Sequence, residues 1–167
     1  MATYHHGDLR AAVLSAAWKM VEKEGVEGLS VREAARRAGV SHNAPYRHFA
    51  GREALLAALV AQGFEQLSRA MEGRTGRELG EAYVAFALAN PQRYRLMFSG
   101  SRASSELKAH FSRPFAHLGA DAAAAGAAAW SLVHGLSWLI LEGHLEESEI
   151  RKVIGAIRFA SGAQRSA

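Results

Sequence analysis

The chain has no cysteine. Disulfides, thiolate metal ligands and cysteine nucleophiles are therefore excluded. Proline is scarce as well: Pro45, Pro91 and Pro114 are the only three in 167 residues. No segment alternates apolar and polar residues between turn signals, so strands are not expected. No uninterrupted run of about 18 apolar residues occurs, which predicts no membrane-spanning helix and no membrane partner. The opening "MATYHHGDLR" lacks the apolar stretch of a secretory signal, and the expected compartment is the cytoplasm. Phosphate loops, serine-nucleophile elbows and dinucleotide fingerprints are missing too. Eight histidines are present, but none form a His-x-x-x-His pair. The expectation is therefore no catalytic residue, no metal and no cofactor.

What remains is ordinary for a globular chain: 49% of residues are apolar and 22% charged. The net charge of +4 is a mild hint of an anionic partner. Residues 1–53 hold eight Lys and Arg against six Asp and Glu, a balance of +2. Affinity for any anionic partner must then come from placement rather than bulk charge. The pattern is helical nearly throughout. Asp8 is placed to cap a helix reaching Glu24, with Leu9, Val13, Ala16, Ala17, Met20 and Val21 at helical spacing. Gly25 ends it. Ser30 and Glu33 form a capping box for a helix that stops at Gly39. A long helix follows Gly51, with others expected at roughly 77–90, 91–99, 103–118, 121–143 and 147–161.

The stretch "VSHNAPYRHF", Val40 to Phe49, is short, polar and carries a proline. After the helix from Val31 to Ala38 it completes a helix-turn-helix. Ala34, Ala35 and Ala38 permit a close crossing, Gly39 supplies the turn, and Val40 plugs the gap. Ser41 is placed to cap the second helix. His42 and Asn43 have short polar heads suited to base edges. Tyr46, Arg47 and His48 can donate to phosphates. Pro45 is tolerable only near the helix start, and Phe49 turns back to the core.

At these residues the chain resembles the DNA-binding domain of TetR-type bacterial transcriptional regulators. The likeness runs from Asp8 to about Leu67 and rests on "GLSVREAARRAGVSHNAPYRHFAGREALLAAL", above all Tyr-x-His-Phe followed by Arg-Glu-x-Leu-Leu. The resemblance implies that Ser30 and Arg32 touch DNA at the start of the second helix. It places His42 and Asn43 at base contacts, and Tyr46 and His48 at phosphates. Arg52 occupies a phosphate-contacting place where the family usually has lysine, and Pro45 one where it usually has leucine. The partner implied is a double-stranded DNA operator.

The remainder, "NPQRYRLMFSG" and "AAWSLVHGLSWLILEG", resembles the WHG type of ligand-binding domain in the same family, with Trp130, His134 and Gly135 in the motif positions. That implies a possible small-molecule effector and a pocket lined by Phe86, Tyr94, Met97, Phe98, Trp130 and His134. An aromatic stripe on helices is equally the mark of a packed core, so both readings stand. Ile150, Val153, Ile154, Ile157 and Ala160 share a helix face. With Leu132, Leu136, Leu139 and Leu145 before them, they offer more apolar surface than one helix pair needs. A homodimer through the last two helices would cover it. The expected class is all-α: a helix-turn-helix three-helix domain over residues 1–53, joined by a long helix to a helical ligand-binding and dimerisation domain over 54–167. The expected function is a repressor released by a small molecule. The alternative is an architectural DNA-binding protein, or a regulator without a ligand.

Overall fold

The computed structural model describes residues 6–100 and 105–156. Among these residues there are no strands, as the sequence implies. The helices are α1 (His6–Glu24), α2 (Val31–Arg37), α3 (Arg52–Met71), α4 (Gly76–Ala89), α5 (Pro91–Phe98), α6 (Ser105–Ser112), α7 (Ala122–Leu141) and α8 (Ile150–Ala156). α1 begins at His6, so Asp8 lies inside its first turn instead of capping it. The two compact units are Met1–Leu67 with Asn90–Ser104, and Ser68–Ala89 with Ser105–Ala167.

The first unit centres on the apolar stripe of α1. Val13, Ala17, Met20 and Val21 are buried against Leu29, Val31 and Ala34. Leu55 and Leu59 of α3 and Leu96 of α5 belong to the same core. The unit therefore extends past residue 53, because Leu55 and Leu59 in the first half of α3 bury in this core, and it takes in α5 as well. Arg93 of α5 lies over the Trp18 ring, 4.3 Å from its centroid. It donates to Gln66 and stands 3.7 Å from Glu22, while Trp18 Nε1 donates to Gln62 at 2.7 Å.

In the second unit α4 packs on α7 and α8. The absence of a side chain at Gly80 lets Val133 and Ile154 approach: an added Cβ would lie 3.2 Å and 3.5 Å from them. The helix expected over 103–118 is broken. α6 stops at Ser112, and a 3-10 segment runs from Arg113 to Asp121, kinked at Gly119. Pro114 accounts for this, since it has no N–H to donate and disfavours helix in the residue before it. The last expected helix appears as a 3-10 turn, Glu147–Glu149, followed by α8; Ile157 and Ala160 lie outside the described residues.

α7 carries no Asp, Glu, Lys or Arg, and the helical segment containing it is long and apolar enough, by length and composition alone, to cross a membrane, a test that the core helices of globular chains also pass. Interspersed alanine, serine and glycine hide this from a search for an unbroken run of large apolar residues. Ser131 and Ser137 return their hydroxyls to the carbonyls of Ala127 and Val133.

Candidate nucleic-acid interface

α2 is started as the sequence implies, but only half of the capping box forms. Ser30 is extended and accepts from the Glu33 N–H at 3.1 Å. The Glu33 carboxylate turns instead to Arg36 and Arg37, at 2.6 and 2.7 Å. Those two guanidinium groups hold its pKa down at about 2. Arg37 also binds Glu24 of α1 at 2.7 Å. Two of the three cations on α2 are thus neutralised locally, and exposed Arg32 makes no ion pair among the described residues.

The turn follows. Gly39 sits at φ +69, a conformation that costs glycine little. Val40 packs on the core. The second helix is then a single 3-10 turn, Ala44–Arg47, rather than an α-helix. Asn43, not Ser41, takes the cap position, and its side chain makes no cap bond. Ser41 contributes its carbonyl, accepting from Ala44 N–H at 3.0 Å. Pro45 explains the form. It cannot donate to residue 41, so the turn is carried by Tyr46 N–H on the Asn43 carbonyl and by His48 and Phe49 N–H on its own carbonyl. Pro45 is itself buried, as is Phe49. These two pin the turn to the core from below. Ser41, His42, Asn43, Tyr46, Arg47 and His48 are left exposed along the top, Tyr46 at 49%. Ser30, Arg32, Ser41 and His42 line one open groove.

Arg52 is exposed too, but its guanidinium is engaged. It donates to the carbonyls of Leu29 and Val26 at 3.2 and 2.9 Å. Nothing in the local pattern signals this, because the partners lie in a loop more than twenty residues away.

The six residues expected to line a pocket divide between the units. Tyr94, Met97 and Phe98 belong to the first, where Tyr94 and Met97 are fully buried and Phe98 meets the Phe64 ring edge-on at 5.4 Å. Phe86, Trp130 and His134 belong to the second. There Trp130 Nε1 donates to the Tyr83 hydroxyl at 3.0 Å, and that hydroxyl lies 2.9 Å from His134 Nδ1. Tyr83 was missed by the sequence reading, although it sits on α4 at helical spacing from buried Leu79 and Ala87. A separate apolar cleft of about 30 Å³, lined by Leu79, Phe111, Phe115, Leu132, Val133 and Ile154, includes none of the six.

Two family profiles match the chain. Bacterial regulatory proteins, tetR family, matches residues 13–59. Tetracyclin repressor-like, C-terminal domain, matches residues 77–153. The uncharacterised HTH-type transcriptional regulator YobS of Bacillus subtilis strain 168 is 31% identical over 90 residues, covering 49% of this chain and 47% of that protein. The match therefore spans about half the length of this curated relative. A structure of a protein of unknown function from Rhodococcus sp. RHA1 is similar at 34% identity and a TM-score of 0.74, covering 93% of this chain and 94% of that one. A TetR-family transcriptional regulator from Pectobacterium atrosepticum has 20% identity and a TM-score of 0.64, with 93% of each chain covered. TetR from Acinetobacter baumannii AYE has 20% identity and a TM-score of 0.62, covering 85% and 78%. The last two share the fold.

Proposed function

The chain belongs to the tetR family of bacterial regulatory proteins and is a transcriptional regulator, and on that premise we propose that it represses transcription from an operator in cytoplasmic DNA as a homodimer, until a small-molecule effector releases it. The observation that carries the DNA reading is the strip from Ser41 to His48. It is polar and exposed on one side, and anchored by Pro45 and Phe49 on the other. A strip held that rigidly can present His42 and Asn43 to base edges without a large ordering cost. Ser30, Arg32, Tyr46, Arg47 and His48 flank them and supply the phosphate contacts.

The exposed side of α7 supports the dimer. Ala123, Ala124, Ala127, Ala128 and Leu139 are exposed on a helix without charge, and Ile150 and Val153 of α8 are half-buried. A second copy packing these helices together covers them. It also sets two recognition turns against two half-sites on the duplex. The effector reading is supported by the Trp130, Tyr83 and His134 group, which combines apolar rings with polar hydrogen-bonding atoms, as small-molecule sites do.

The test is selection of bound duplexes from a random pool, followed by a small-molecule screen for release of the best one. A selected duplex bound far more tightly than random duplex at equal salt is expected. Equal affinity for both would favour an architectural protein. A selected duplex that no compound releases would favour a regulator without an effector.

A further inference from the structure

Arg52 is the first residue of α3, and all three of its guanidinium nitrogens are occupied. Nε donates to the Leu29 carbonyl at 3.2 Å, Nη2 to the Val26 carbonyl at 2.9 Å, and Nη1 to Glu53 at 3.3 Å. The Val26 carbonyl also accepts from Leu29 N–H at 3.2 Å, and the Leu29 side chain is buried. The Leu29 carbonyl immediately precedes Ser30, whose side chain caps α2. Arg52 thus holds the peptide plane that sets where α2 begins. A guanidinium does this because its donors form a rigid planar fork. A lysine ammonium is a compact point donor and cannot hold two carbonyls in that plane.

We propose that Arg52 is a positioning residue for DNA recognition: it clamps the Val26 and Leu29 carbonyls and so fixes Ser30 and Arg32 at the start of α2, rather than neutralising a phosphate. The inference rests on the operator-binding reading above. Phosphate neutralisation on this face then falls to Arg32 and Arg47, which are exposed and make no ion pair within the described residues.

The experiment compares wild type, Arg52→Lys and Arg52→Gln as full chains. The probes are a fluorescent duplex recovered by selection and a mixed-sequence duplex, each titrated over a salt series. Both variants are expected to lose affinity for the selected duplex by a similar factor, about tenfold, the equivalent of one charge-assisted hydrogen bond. Because the clamp places the phosphate-contacting Ser30 and Arg32, affinity for the mixed duplex should fall along with it, and the two variants should share one salt slope. A phosphate ligand would behave otherwise: Lys would retain the affinity, and Gln would flatten the slope by about one unit of log K against log salt. That pattern overturns the proposal. Amide hydrogen exchange on the free protein gives a second readout. Faster exchange over residues 30–33 in both variants is expected, and unchanged exchange in both overturns the clamp. A wild-type chain that binds neither duplex would sink the operator reading instead, and exchange would still decide whether Arg52 holds α2.

Discussion

The indole N–H of Trp138 donates to His134 Nε2 at 3.2 Å, and this settles where the imidazole proton resides. Nε2 acts as acceptor, so the proton is on Nδ1 and points at the Tyr83 hydroxyl oxygen, 2.9 Å away. The same oxygen receives Trp130 Nε1–H at 3.0 Å. A second ring proton would face the Trp138 N–H, donor against donor. Burial already holds the His134 pKa below its ordinary value of 6.5. Neutral His134 is the form that fits the fold.

Stability should therefore depend on pH in a defined direction. A histidine with a depressed folded pKa binds fewer protons folded than unfolded between the two values, so stability rises with pH there. Its contribution is complete above about pH 6.5, the unfolded value, and is lost as pH falls through the folded one. Thermal melts from about pH 8 down to about pH 5 should show a falling Tm, with Trp fluorescence reporting the change at Trp130 and Trp138. His134→Gln removes the titration and should flatten that slope. An unaltered slope in the variant would assign the acid sensitivity to other groups.

His42 and Asn43 are exposed at the head of the recognition turn. His42→Ala and Asn43→Ala should each cost about 1–3 kcal/mol on the selected operator and much less on scrambled duplex. Affinities for both duplexes at one salt concentration check this. An unchanged ratio in both variants counts against base contact.

Arg47 sits on the same exposed strip and makes no ion pair among the described residues. Arg47→Ala should weaken binding to every sequence alike and reduce the salt slope by about one. Tyr46→Phe should weaken both duplexes equally while leaving the slope intact, since it removes a hydrogen bond and no charge.

Gly126 of α7 lies against backbone. A Cβ there would stand 2.8 Å from Ser112 Cα and N and 2.9 Å from the Phe111 carbonyl carbon. Backbone cannot swing aside as a side chain can, so Gly126→Ala should force α6 from α7. The expected loss is about 1–3 kcal/mol, despite the better helix propensity of alanine. Denaturant unfolding measures it, and a stability equal to wild type would mean the crossing yields more readily than its geometry implies.

Leu139 of α7 is 44% exposed on an uncharged helix. Leu139→Lys suits the C-terminal half of a helix electrostatically, so a single chain should tolerate it. A dimer packed on that face should not, because an ammonium buried without a partner is costly. Sedimentation should show a dimer for wild type and a monomer for the variant. A variant that remains dimeric would move the interface off this face.

The features legible in the sequence depend on residues within about one helical turn of each other. The α1 stripe, the Ser30 cap and the Gly39 turn are all of this kind, and each is present in the fold. Helix identity was legible for the same reason, since spacing and capping are properties of local backbone geometry. Element ends were less so. Pro45 and Pro114 marked the places where helices would suffer, but not whether a 3-10 turn or a break would result.

Partner choice among long polar side chains was decided by packing alone. Arg52 reads from sequence as a cation at a phosphate-contacting place, yet it finds carbonyls 23 and 26 positions away. Tyr83 and His134 meet across 51 positions. Each of these side chains has enough rotatable bonds to reach several partners. Sequence determines which chemical groups are present and which helix face carries them. Only the packed core, by fixing where each backbone lies, selects one partner from those within reach.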